Sequence, residues 1–315
     1  MVSPLVVVNS VLPVFILMIV GALARRVGLI RRDEDDAIMR FTIHILFPAF
    51  ILDKLLGNHL VGDFSVLGWG MSLAVVLIVS GIAGAWLAGG LLGLGRGTGR
   101  RTFSLAAGVQ NWGYTAIPVL AVLWPGDDGV IGVLFVHNLG VEITVWSVGV
   151  WVMTGGGGLQ WRKLINGPAV AIVLGLFLVL TGLDRFFESG PHRVALHWMG
   201  MGAFPIGIFI TGAIMMDLVT AERPSPRIAL GGIVVRLFLL PLLFLAAAKW
   251  LPIIVELKRV LVVQAAMPAA LTPVLIAKLY DGRPAVAVQI VIATTLACIL
   301  TLPLVIYLAM NWIPL

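Results

Sequence analysis

The chain has 315 residues, 60% hydrophobic and only 11% charged, with a formal net charge of +6. Soluble domains carry about 25% charged residues, which excludes a soluble enzyme or a nucleic-acid-binding domain. The apolar runs are about twice the roughly 10-residue strands of an outer-membrane barrel, so the fold class is an all-α polytopic membrane protein. Mean hydropathy is +1.07. The single cysteine, Cys298, excludes an intramolecular disulfide framework and a cysteine zinc site, and no metal site is expected.

With about 20 apolar residues as the span criterion, the first span covers about 5–24 and the second about 38–57. The first run lacks a charged n-region and is full length, so it is read as a span and not as a cleaved leader. The loop between them holds Arg25, Arg26, Arg31 and Arg32, then the acidic run Asp33 to Asp36. Carboxylates at a helix start cap free N–H groups, which is the reading preferred here to a metal site. The third span covers about 66–92 and holds Gly81, Gly84, Gly89 and Gly90, small residues that let helices approach closely. The fourth covers about 102–124 and the fifth about 129–153.

A glycine run, Gly155 to Gly158, breaks the chain flexibly at its midpoint. Five more spans follow, at about 167–183, 194–220, 227–250, 257–280 and 284–312. The domain reading is a first five-helix repeat over 1–153, a glycine-rich linker over 154–166 and a second five-helix repeat over 167–315. Two landmarks support duplication. Phe47-Pro48 recurs as Phe204-Pro205, 157 residues on, and Pro118 recurs as Pro273, 155 residues on.

Lys and Arg loop asymmetry sets orientation. The odd loops hold Arg25, Arg26, Arg31 and Arg32; Arg96, Arg100 and Arg101; Arg162 and Lys163; Arg223 and Arg227; and Arg283. The even loops hold Arg185, Arg193, Lys258 and Arg259. The odd loops are then cytoplasmic and both termini outside, in a bacterial-type inner membrane. With five spans per half, the two repeats are inverted, as in many secondary carriers.

Two spans carry breakers. The fourth contains Val109-Gln-Asn-Trp-Gly-Tyr-Thr-Ala-Ile-Pro-Val-Leu120, with Gln110, Asn111, Gly113 and Pro118 together. Its partner, Val263-Gln-Ala-Ala-Met-Pro-Ala-Ala-Leu-Thr-Pro-Val-Leu275, holds Gln264, Pro268, Thr272 and Pro273. Proline removes a donor and clashes with the preceding turn, and in lipid the freed groups need protein or a water-filled cavity. A half-helix N-terminus offers about half a positive charge and free N–H donors, which suits an anion. These eight residues are the candidate substrate site.

Ionisable groups inside spans usually face a cavity or one another. Arg40, His44 and Pro48 recur every four residues and share a helix face. Asn138 and Glu142 share a face of the fifth span, with His137 adjacent. Arg236 lies in the eighth span, and Asp217 near the end of the seventh. His44, Asn138, Glu142 and Arg236 are the coupling or ion-pair candidates. No phosphate loop, no His-Glu-x-x-His or Gly-x-Ser-x-Gly and no Thr-Val-Gly-Tyr-Gly filter occurs, so no catalytic residue is assigned.

Gln110-Asn111-x-Gly113-x-x-x-x-Pro118, Ala266-Met267-Pro268-Ala269 and Phe204-Pro-Ile-Gly-Ile-Phe-Ile-Thr-Gly212 resemble the auxin efflux carrier family across essentially the whole chain. Its bacterial members are often labelled malonate or malate transporters. The resemblance implies a fold like that of bile acid–sodium symporters, with the fourth and ninth helices broken and crossing at mid-membrane. It implies that Asn111 contacts substrate and that Pro118 and one of Pro268 or Pro273 mark the breaks. The chain departs from the plant carriers in its short central loop and in Trp112 following Asn111, so auxin itself is not the expected substrate.

The expected function is a secondary transporter, an efflux carrier, of a small organic anion such as a mono- or dicarboxylate, working by alternating access. The alternatives are a cation–proton antiporter of similar fold and an integral-membrane enzyme acting on lipid-borne substrates. No cofactor is expected beyond a coupling proton or sodium ion. The expected partners are the anion, the lipid bilayer and a second copy in a homodimer, with no nucleic acid.

Overall fold

A computed structural model describes residues 4–95, 97–113, 115–156, 165–187, 189–221 and 225–315. Arg96, Tyr114, Gly157, Gly158, Arg162, Lys163 and Arg223 lie outside the described residues, and with them most of the 154–166 linker. The described chain is helical. Its one extended pairing among the described residues is a single antiparallel bridge between Gln110 and Ala269.

The helices, in order, are α1 Pro4–Arg26, α2 over 35–55, α3 Phe64–Leu91, α4 Thr98–Gly108, α5 Ala116–Leu123 and α6 Asp128–Thr154. Then come α7 Gly167–Thr181, α8 over 191–221, α9 Pro226–Trp250, α10 Val255–Ala266, α11 Thr272–Leu279 and α12 Pro284–Trp312. Among the described residues five stretches are long and apolar enough to cross a bilayer: Phe64–Leu91, Asp128–Thr154, Pro191–Asp217, Pro226–Trp250 and Pro284–Trp312. Shorter apolar helices such as α7 stand beside them. Outward faces carry large exposed apolar side chains, among them Phe177, Trp198, Leu242 and Leu300, as expected of a helix apolar all round with lipid as solvent.

Two prolines inside long helices explain two local widenings. Thr42–Leu46 and Val234–Leu239 are π-helical, and each is followed two residues later by a proline, Pro48 and Pro241. A proline ring clashes with the carbonyl four residues back, and a widened turn moves that carbonyl away. A third π segment, Val145–Gly149, has no proline to account for it.

Glycines set the closest helix crossings. A methyl at Gly21 of α1 would overlap the backbone of Phe209, and one at Gly212 of α8 would overlap the backbone of Met18. Gly81 of α3 and Gly108 of α4 meet in the same way: a Cβ at Gly81 would lie 2.5 Å from the Gly108 carbonyl oxygen. The small residues of the third span therefore do act as a close contact. They seat the end of α4, and so fix where the chain leaves its first half-helix.

The core runs around α10 and α6. Val260 to Ala266 are buried without interruption, as are Val130 to Asn138. Phe47 and Phe50 of α2 pack edge to face on Phe204 of α8, at 5.6 and 4.4 Å between centroids.

Charge sits at the two ends of the bundle. At the odd-loop end Arg25 pairs with Asp35 and Asp217, and Arg32 with Asp217 at 3.1 Å. Glu34 caps the turn that follows Arg31, accepting the Arg31 N–H at 2.8 Å. That hydrogen bond, then the Arg31 side chain, holds its carboxyl below the ordinary carboxylate range. The acidic run thus serves as a helix-start cap and ion-pair partner.

Candidate functional site

The two interrupted stretches meet at their interruptions. α4 ends at Gly108, and Val109 turns extended (φ −110°, ψ 122°). α10 ends at Ala266, and Met267 turns extended (φ −71°, ψ 142°), the conformation a residue before proline prefers. The two extended segments then pair in opposite directions. The Asn111 N–H donates to the Pro268 carbonyl at 2.7 Å, and the Ala270 N–H to the Val109 carbonyl at 3.1 Å. Backbone groups freed by breaking two helices thereby satisfy one another. The Ala269 N–H is taken by the Thr294 hydroxyl of α12 at 3.1 Å.

This geometry corrects the reading of Pro118 and resolves that of the ninth-span prolines. The first interruption lies at 109–115, not at Pro118. Pro118 is the third residue of α5 and Pro273 the second of α11, positions where a missing N–H costs nothing. Both lie in the first turn of the helix that follows an interruption. Pro268 alone lies within a break, and its carbonyl closes the crossing.

Of the eight candidate substrate residues, the crossing gathers most. Gln110 is fully buried, and neither its amide nitrogen nor its oxygen has a hydrogen-bond partner among the described residues. Asn111 is half-buried and donates from Nδ2 to Thr115 Oγ1 at 3.1 Å. Gln264 is fully buried; its Nε2 donates to the Trp112 carbonyl at 3.1 Å and approaches Asn138 Oδ1 at 3.4 Å, while its Oε1 is unpartnered. Gly113 is half-buried, and a Cβ there would meet nothing within 4 Å. Thr272 is half-buried and Pro273 buried at the start of α11.

The coupling candidates divide. Asn138 joins the crossing through Gln264. Glu142, half-buried one turn further along α6, accepts the Trp146 indole N–H at 2.9 Å, with Trp112 and Asn166 nearby. His44 is exposed and lies against Gly167, the residue after Asn166. It makes no ion pair with Glu142. His137 points away from Glu142, with its Nδ1 3.2 Å from the Gly70 carbonyl oxygen.

Arg236 is fully buried, stacked over Phe244 at 5.6 Å and beside Cys298, and none of its three guanidinium nitrogens has a hydrogen-bond partner among the described residues. Cys298 donates its thiol to the Ala266 carbonyl at 3.6 Å. Arg236 therefore stands one side chain behind the crossing. An isolated buried charge is costly unless it is paired.

Trp112, Trp146, Asn166 and Thr294 carry contacts that the sequence reading did not assign. Asn166 had a signal, being an N-cap before Gly167-Pro168, and its side chain does accept the Ala169 N–H at 2.9 Å. Asp53 was also missed. At the even-loop end it is nearly fully buried and faces His197 at 3.2 Å, Arg193 at 3.5 Å and Lys54 at 3.6 Å. Lys54 also pairs with Asp128 at 2.8 Å, and Arg259 with Asp127 at 2.7 Å.

Two interrupted helices meeting inside an apolar bundle, with buried amides at the meeting point, define an integral membrane protein of the carrier class. Comparison with known families agrees. The description "membrane transport protein" matches residues 6–306, and the chain belongs to this family, that of the auxin efflux carriers. An uncharacterized transporter of Methanothermobacter thermautotrophicus is 23% identical over 305 residues, covering 94% of this chain and 96% of the archaeal one. Auxin efflux carrier components 7 and 3 of Arabidopsis thaliana are each 27% identical over 135 residues. That stretch is 41% of this chain but only 21% and 20% of those proteins.

Proposed function

We propose that the protein is a secondary transporter of a small organic anion, a mono- or dicarboxylate, that binds at the crossing and moves by alternating access. One observation carries the reading. The Gln110 amide lies fully buried at the pairing of two broken helices with both of its polar atoms unpartnered. A buried amide left unsatisfied costs about 1–3 kcal/mol, and a transient ligand with a carboxylate and polar edges would satisfy it. Arg236 supplies a fixed positive charge beside the same crossing, and the starts of α5 and α11 supply helix N-termini.

In this reading the ten spans form two inverted five-helix repeats, 1–153 and 167–315. The odd loops face the cytoplasm and both termini face outside. Asn111, Gln110 and Gln264 contact the substrate directly. Gly113 leaves it room, and Pro118, Pro268, Thr272 and Pro273 shape the ends of the half-helices around it.

The test is uptake and counterflow in proteoliposomes with labelled mono- and dicarboxylates, with and without sodium and pH gradients. Movement of at least one carboxylate by wild type, lost in Asn111→Ala of unchanged thermal stability, is the expected result. If no carboxylate moves under any gradient, the anion-carrier reading fails.

A further inference from the structure

We propose that Glu142 is a proton-binding site whose protonation is tied to occupancy of the crossing by the anion, so that the substrate travels with a proton. The inference rests on the anion-carrier reading and adds the identity of the coupling ion.

The surroundings of Glu142 are one-sided. Its hydrogen-bond donor, the Trp146 indole at 2.9 Å, and the neighbouring Trp112 indole and Asn166 amide are all neutral. No Lys, Arg or His lies within ion-pair distance among the described residues. α11, packed on the last turn of α6, brings the exposed Lys278, and α2 brings the exposed Arg40, with Asp35 and Asp36 at its start. α3, α5 and α7 carry no ionisable residue at all. α2 brings His44, set against Gly167, while its Asp53 and Lys54 sit at the even-loop end. α10 brings Glu256, Lys258 and Arg259 at that same far end, where Arg259 holds Asp127. The turn His59–Gly62 brings His59 there too. α4 brings Arg100, over Trp86, and Arg101, against Gly155. On α6 itself His137 faces Gly70.

Asn138 ties this lone carboxylate to the crossing. It lies one turn before Glu142 on the same face of α6, and Gln264 Nε2 approaches its Oδ1 at 3.4 Å. An anion bound beside Asn111 and Gln264 therefore meets Glu142 across one residue, with no cation between them. Two like charges about 6 Å apart, at an effective dielectric constant of about 20, weaken binding by about a hundredfold. A proton on Glu142 removes that repulsion. Linkage is reciprocal, so the bound anion in turn retains the proton.

Glu142, Asn111, Trp112 and Asn166 are all half-buried, and Asn166 starts α7 at the odd-loop end. The proton comes from water on the side where the anion enters, resides on the carboxylate oxygen during passage, and returns to water where the anion leaves. A monoanion then crosses without net charge, and the pH difference rather than the membrane potential sets its direction.

The experiment uses the full chain in proteoliposomes with radiolabelled gluconate, a monoanion whose acid does not cross lipid unaided, and malonate as probes, comparing wild type with Glu142→Gln. At equal pH on both sides, counterflow reports the carrier itself. Wild type should show it, and Glu142→Gln should keep it to within about threefold, since the neutral amide mimics the protonated acid. With an alkaline interior, wild type should accumulate the monoanion up to about tenfold per pH unit, and Glu142→Gln should accumulate none. Accumulation by Glu142→Gln equal to that of wild type, or wild-type accumulation driven by sodium alone, overturns the proposal.

Absent counterflow in wild type would overturn the anion-carrier reading instead, so the two failures are distinct. Should Glu142→Gln fail to fold, Trp146→Phe keeps the carboxylate and removes one donor to its ionised form. It should move the pH midpoint of uptake upward. An unmoved midpoint overturns the proposal equally.

Discussion

Phe47 and Phe204 belong to stretches 157 residues apart in sequence, and their rings meet edge to face at 5.6 Å. Each precedes a proline, and Phe50 adds a second edge-to-face contact to Phe204 at 4.4 Å. Two Phe-Pro steps far apart in the chain are thus neighbours in space. Such ring pairs contribute about 0.5–1.5 kcal/mol beyond their burial. Phe204→Leu should lower thermal stability in detergent by about that amount while leaving counterflow intact. A larger loss of transport than of stability would mean that this contact also serves motion.

Gln110→Leu separates folding from binding. It fills nearly the same volume and removes a buried amide with no partner. Stability should be unchanged or rise by about 1 kcal/mol, while carboxylate counterflow is lost. Thermal unfolding and counterflow on the same preparation decide it. A destabilised protein that still transports would show that Gln110 is a structural residue.

Arg236→Met makes the same division for charge. Replacing an unpaired buried cation with an apolar chain of similar length is often neutral or stabilising by about 1–4 kcal/mol. The variant should fold at least as well as wild type and bind carboxylates at least tenfold more weakly, a loss of about 1.4 kcal/mol. A fall in stability would assign Arg236 to the carbonyl end of α10 instead of to the substrate.

Asp53 and Asp128 offer a test of magnitude at the even-loop end. Asp53 is nearly fully buried among His197, Arg193 and Lys54, whereas Asp128 is exposed. Removing one partner of a buried ion pair costs about 3–5 kcal/mol, against about 0–1 kcal/mol for an exposed pair. Asp53→Ala should therefore lower the unfolding temperature far more than Asp128→Ala. Equal effects would mean that the Asp53 cluster is solvated.

Gly21 and Gly212 should tolerate no side chain. A methyl at either position meets the backbone of the facing helix, and backbone yields less readily than a side chain. Gly212→Val should cost at least about 1–3 kcal/mol, the range for overpacking, read as loss of folded protein after extraction. A Gly212→Val protein of normal yield and stability would mean that α1 and α8 do not cross there.

Much of this was visible in sequence because lipid punishes loose backbone. Gln110, Asn111, Gly113 and Pro118 inside a span-length apolar run already marked an interruption. The repeat of Val-Gln and Pro-Val-Leu at 263–275 marked its partner. What stayed hidden is tertiary. Pro118 looked like the breaker, but a proline in a helix's first turn is harmless, and the chain leaves α4 at Gly108 because Gly81 faces it. The π segment at Val145–Gly149 has no residue that announces it. Asn166 comes near Glu142 only because α6 and α7 pack together, and a sequence offers no rule for that.

Gly113 lies beside the crossing with nothing within 4 Å of where a side chain would begin. In the proposed function that space is an allowance for cargo. Growing the residue stepwise, from alanine to valine to leucine, would then act as a ruler inserted into the carrier. The largest carboxylate still moved at each step would measure, in methylene units, how much room the crossing keeps.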